Sequence, residues 1–226
     1  ALLSPIVIEK ENIADDREVW GERLGGLLPY FIFILCLQGA MAPASDLGAG
    51  EKERGTLETL LISPMERYKL VLGKFFTIGV AGLITALITV SSMAIWGIVL
   101  SQGLAIEFVA EVMAMIGIID FVLIFLMLIP VVAIFAAVLL SLSIYARSFK
   151  EAQSYMGALV MVVVFPVLIA MMPGVKLEGG WIWVPLTNVA LAMKELFKGT
   201  MDYFALFGIF TSTVAIAAAL IAFCVY

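Results

Sequence analysis

The residues best suited to do chemistry are the charged and hydroxylated ones, because the rest of the chain is 63% hydrophobic and only 14% charged. The densest group is Glu51-Lys52-Glu53-Arg54, followed by Gly55-Thr56-Leu57-Glu58-Thr59-Leu60-Leu61. Leu57, Leu60 and Leu61 stand at i, i+3 and i+4, one stripe of a helix, with both signs of charge at its start. That pattern suits a helix that lies on headgroups, packs under its own bundle or docks into another protein's groove, rather than catalysis. A second set lies inside apolar runs: Asp120, Gln38, Thr85 and Thr89 are the candidate lining of a transport path. An acid within such a run is costly and usually faces a cavity or a partner. Membrane hydroxyls more commonly serve helix packing and interhelical hydrogen bonds.

Several chemistries are excluded. The chain has no histidine, so zinc-protease helices, His-ligated haem and histidine proton relays are absent. No Gly-x-x-x-x-Gly-Lys-Ser/Thr loop is present to cradle ATP phosphates. Cys36 and Cys224 both sit in apolar runs and read as small hydrophobic filler. No metal-binding cluster emerges. The net charge of -5 gives no basic surface for nucleic acid.

The elements that position these residues are long apolar helices. Mean hydropathy is +1.13, and several runs exceed the ~18 apolar residues that mark a membrane span. The expected fold is an all-α integral membrane protein with spans at about 27–47, 70–100, 112–146, 152–172 and 203–226. Residues 1–24 form a polar segment before them. Trp20 and Tyr30 bracket the entry to the first span, and Pro43 is expected to kink its far end. The third run is read as one overlong helix, kinked at Pro130. Between the last two spans, 175–202 holds a short helix starting near Pro185 and ending at Gly199. It is too short to cross and is expected to lie in the interface or to enter and leave on one side.

Seven lysines and arginines occupy the 51–74 and 147–150 connections, against three in the other two, which puts the 50–69 segment in the cytoplasm. Both cytoplasmic turns carry Ser-x-x-Glu, at Ser63/Glu66 and Ser148/Glu151, the pattern of a capping box. The 51–62 stretch is expected to be one helix, stopped by the Ser63-Pro64 step.

Asp46-Leu47-x-x-Gly50 through Leu61, then Ser63-Pro64 and Gly73-Lys74, resembles the permease subunits of type-2 ABC exporters, most closely their sodium-efflux (NatB-like) branch. Ala146 to Gln153 and Val184-Pro185-Leu186-x-Asn188-Val189-Ala190-Leu191-x-x-Lys194-Glu195 are similar to the same branch, so the likeness spans most of the chain. The resemblance implies a prokaryotic plasma-membrane permease with six spans in the full family member, the first of them, with an extracytoplasmic domain, preceding this sequence. It implies that Glu51 to Leu61 is a coupling helix docking on a separate ATPase subunit, which holds ATP and Mg. It further implies a second permease subunit, identical or related, and an extracytoplasmic re-entrant helix at 185–198. The expected activity is outward transport of an ion, sodium by branch likeness, or of a small molecule. Two rival readings are a passive channel or structural membrane subunit, and an intramembrane protease. The second lacks histidine and any paired-glutamate helix motif.

Overall fold

A computed structural model describes residues 25–56, 66–103, 116–172 and 183–225. Among these every regular element is helical: α1 (Leu27–Ser45), α2 (Arg67–Gly103), α3 (Ile118–Tyr145), α4 (Phe149–Met171), α5 (Thr187–Lys198) and α6 (Tyr203–Val225). All but α5 are long and apolar enough to cross a membrane. Helices suit that task because each satisfies its own backbone where no water can.

The α3 helix is the centre of the bundle. Of its apolar stretch 61% is buried inside the protein, against 22% for α2, α4 and α6. It packs on all five other helices. Phe33 of α1 meets Phe135 of α3 edge-to-face at 6.4 Å. Small residues bring the backbones close. A Cβ on Gly39 of α1 would fall 2.1 Å from Thr85 Oγ1 of α2, and one on Gly82 of α2 would fall 2.7 Å from Val132 of α3. Between apolar helices in lipid, such close packing replaces the hydrophobic driving force.

Several boundaries differ from the sequence expectation. The first helix does not stop at 47. Pro43 lies inside it, and the chain continues through a π-helical turn, Asp46–Gly50, into a last turn, Glu51–Glu53. The Glu51 amide bonds back to the Asp46 carbonyl, five residues away. The expected single helix over 51–62 is interrupted instead: Gly55 takes φ +70, a left-handed conformation that glycine adopts without Cβ strain. Thr56 is helical again, while Leu57, Glu58, Leu60, Leu61 and Ser63 lie outside the described residues.

The second helix starts at Arg67, so Glu66 precedes it rather than holding its third position, as the Ser63 capping box required. The Glu66 carbonyl accepts the Lys69 and Leu70 amides, and its carboxylate pairs with Lys69 at 2.8 Å. Hydrogen bonds from the Lys69 and Tyr68 side chains hold the Glu66 carboxyl below its ordinary range.

The third span begins at Ile118, not 112, because Gly117 is extended (φ -82, ψ 160) and forms the helix cap. Asp120 is therefore a first-turn residue, at the end of its helix. The short α5 helix runs from Thr187 to Lys198, two residues later than the Pro185 start. Its cap residue, Leu186, carries an uncommon φ of +69. Gly199, at φ +72, ends it as expected from sequence.

The glycine contacts yield a test. In detergent, Gly39→Val should lower the melting temperature, at a cost of about 1–3 kcal/mol from overpacking against Thr85. Gly73→Ala, a helical site with nothing within 4 Å, should be neutral or up to about 1 kcal/mol stabilising. Equal melting of the two variants would show that the α1–α2 approach is not close.

Candidate functional site

The Glu51–Arg54 group emerges at the end of α1, and its side chains bond back onto the bundle, Glu51 partly buried and Arg54 exposed. An α-helix advances by ~100° per residue, so the extra residue taken up by a π turn rotates everything after it by about that angle. Gly48, Ala49 and Gly50 make the turn possible by being small and buried. The Ala49 amide donates to Ser143 Oγ of α3 at 3.0 Å. A Cβ on Gly48 would collide with that same serine at 2.0 Å.

Beyond the π turn each charged side chain takes a different partner, and two of them close helix ends. Lys74 of α2 donates to the Leu47 carbonyl at 2.6 Å and pairs with the Glu51 carboxylate. Both side chains of that pair are largely buried, 10% and 14% exposed. The Lys52 ammonium donates to the carbonyls of Ile144 and Ala146, the latter at 3.1 Å. Those groups lie at the C-terminus of α3, where orphan carbonyls and the helix dipole favour a cation. The Glu53 carboxylate accepts the Phe149 amide at 3.1 Å, at the N-terminus of α4, where an anion is favoured. Arg54 reaches back to Asp46 at 2.9 Å. The hydrogen bond to Asp46 and its charge raise the guanidinium pKa above its ordinary value.

The turn between α3 and α4 completes this clasp. Ser148 caps α4, its Oγ accepting the Glu151 amide at 3.2 Å. Glu151 accepts the Arg147 amide at 2.8 Å and the Tyr155 hydroxyl at 2.6 Å. Ser45 bonds both to the Met41 carbonyl and to the Met156 sulfur of α4 at 3.2 Å. One stretch of about ten residues thus ties α1 to α2, α3 and α4. Thr56, beyond Gly55, is exposed and donates to the Glu51 carbonyl.

Sequence reasoning treated Glu51 to Arg54 as a surface offered to a partner and missed this intramolecular role. The buried partners Ser143 and Lys74 lie 94 and 23 residues away from theirs. A signal was available in Gly48-Ala49-Gly50, three small residues next to an acid in a long helix.

The candidate path residues lie on α1, α2 and the first turn of α3. Asp120 stands at the start of α3, where its carboxylate accepts the Gly117 amide at 2.9 Å. Thr85 donates to the Ala81 carbonyl and Thr89 to the Thr85 carbonyl, each within its own helix. Gln38 is exposed on α1.

A second polar group lies on α5, whose residues are nearly all buried, unlike a helix lying in the interface, one of the two placements expected from sequence. It packs on α4 and α6, with further contacts to α1 and α3. Asn188 Oδ1 accepts the Val189 amide at 2.7 Å, and its Nδ2 lies 3.5 Å from Ser212 and Thr213 of α6. Thr187 faces the Pro166 carbonyl of α4 at 3.4 Å. Lys194 is buried as well.

The family described as ABC-2 family transporter protein matches residues 4–225, nearly the whole chain. The chain belongs to that family. It is also similar to the ABC transporter permease protein NatB of Bacillus subtilis (strain 168), 26% identical over 206 residues. That match covers 89% of this chain and 52% of the relative, so the chain spans about half the length of the curated relative it matches. No solved structure matches it. It is thus a chain of the ABC-2 transporter family whose described residues include five helices long and apolar enough to cross a membrane.

The buried pair at the centre of the clasp should show in its stability. Lys74→Met leaves the Glu51 carboxylate uncompensated and should cost roughly 3–5 kcal/mol. Adding Glu51→Gln should recover much of that loss, and a double-mutant cycle by thermal melting measures the coupling. Arg54→Ala breaks only an exposed pair and should leave the melting temperature nearly unchanged. Additive effects of Lys74→Met and Glu51→Gln would show that the two side chains do not interact.

Proposed function

We propose that this chain is the membrane-spanning permease of an ATP-driven exporter, and that residues 51–61 receive the work of a separate ATPase subunit. The carrying observation is the clasp. A push on the segment just beyond Arg54 cannot move α1 alone, because Lys52 and Glu53 hold the ends of α3 and α4, and Glu51 holds Lys74 of α2. ATP binding elsewhere needs such a mechanical link, since a ligand shifts a two-state bundle only through contacts that differ between its states.

In this reading the charged and the apolar residues divide the labour. The Glu51–Arg54 side chains are engaged within the chain and set the position of the docking surface. Leu57, Leu60 and Leu61 are the residues that touch the ATPase subunit, which carries ATP and Mg. The clasp end is cytoplasmic, as the lysine and arginine bias requires. Its α5 helix is then extracytoplasmic and re-entrant. It starts beside Ser212 and Thr213, nine or more residues into α6, or about 13 Å along that helix at 1.5 Å per residue. It ends at Gly199, four residues before α6 begins. A second permease chain, identical or related, completes the pathway. The cargo is a small ion, with sodium supported by branch likeness to the sodium-efflux permeases.

Three measurements test this. Leu60→Asp should abolish co-purification of the ATPase subunit and leave the melting temperature unchanged. Glu53→Ala should keep that binding but reduce ion transport per ATP hydrolysed in proteoliposomes. If binding and ATP-driven transport both survive each change, no work enters at 51–61. In a chain with Cys36 and Cys224 replaced by alanine, Thr56→Cys should react with an impermeant maleimide only from the cytoplasmic side. Labelling from outside would invert the topology.

A further inference from the structure

An apolar groove of about 390 Å³ opens between α3 and α4 at the clasp end, lined by Leu142, Tyr145, Tyr155, Ala158, Leu159 and Val162. Tyr145 and Tyr155 flank it with ring centroids 6.1 Å apart, and Tyr145 is 77% exposed. The α3–α4 turn at its rim carries two exposed cations, Arg147 and Lys150. The nearby acids are Glu151 and Glu53, and both are engaged. Glu151 accepts the Arg147 amide and the Tyr155 hydroxyl, and Glu53 accepts the Phe149 amide. Counting Lys52 at the Ile144 and Ala146 carbonyls, three cations stand against these two carboxylates and leave the rim one positive charge in excess beside a greasy channel.

We infer that this groove is a binding site for an anionic phospholipid, one acyl chain lying along Leu142, Ala158, Leu159 and Val162 and the phosphate on Arg147 and Lys150. Charge complementarity selects this occupant. Basic rims over interhelical grooves recognise anionic headgroups, and tyrosines at the polar boundary match the headgroup level. An apolar helix from a second copy would fill the groove but bring no anion to the cationic rim. The proposal rests on the membrane-spanning fold and not on ATP coupling.

The purified permease, stripped of lipid and offered an equimolar mixture of phosphatidylglycerol and phosphatidylcholine, can be examined by native mass spectrometry. Phosphatidylglycerol should be retained several-fold over phosphatidylcholine. Arg147→Gln/Lys150→Gln should erase the preference. It keeps every backbone hydrogen bond of the turn, so the melting temperature should hold. Ala158→Trp, which fills the groove, should also abolish retention, whereas Gly157→Trp, with open space around it, should not. Equal retention of the two lipids, or retention indifferent to the double variant, overturns the site. So does a self-association lost in Ala158→Trp without any lipid preference, which would assign the groove to a second copy.

Discussion

A helix that ends at the edge of a membrane leaves four carbonyls or four amides in need of partners, and this bundle meets that demand with side chains from one place. The α1 helix runs past Pro43 into a π turn, and the residues that follow hold the C-terminus of α3, the N-terminus of α4 and a lysine of α2. The polarity is matched at each contact. A cation meets the carbonyl end and an anion meets the amide end, as the helix dipole favours. Packing of the four helices at this end depends on that arrangement, because apolar surfaces in lipid give no directional instruction.

The hydroxyls of the spans follow a related economy. Thr77, Thr85, Thr89, Ser141, Thr211 and Thr213 each donate to the carbonyl four residues earlier in their own helix. They satisfy themselves locally and leave their helices free to pack by shape. Ser143 is different. It accepts the Ala49 amide across the interface, where a π turn has freed that amide from its usual register. Among the described residues, polar contacts join elements at the clasp and at α5, two places where regular helix stops inside the protein.

The α5 helix brings backbone ends into the bundle, and Asn188 and Thr187 occupy its first turn accordingly. An asparagine that takes its neighbour's amide and faces two hydroxyls of α6 satisfies a helix start where water is scarce. The positive φ of Leu186 belongs to the same sharp entry, held by a side chain packed on the core.

The sequence by itself determined the class, the number of long apolar helices and the Ser148 cap, because length, hydropathy and local capping are one-dimensional properties. It also placed the charged motif between the first two helices. What it could not determine was the direction in which Glu51, Lys52 and Glu53 point. That depends on a π turn, which shifts register without changing composition, and on Lys74, Ile144, Ala146 and Phe149, which only the packed bundle brings within reach. Periodicity over 51–62 likewise suggested one helix, whereas the left-handed Gly55 divides it. Asp120 looked like an acid within the membrane for the same reason. An apolar run shows where a helix is possible, but the cap at Gly117 decides where it begins. Tertiary structure chose among conformations that the local sequence left nearly equal in energy, and did so by giving each buried polar group a partner.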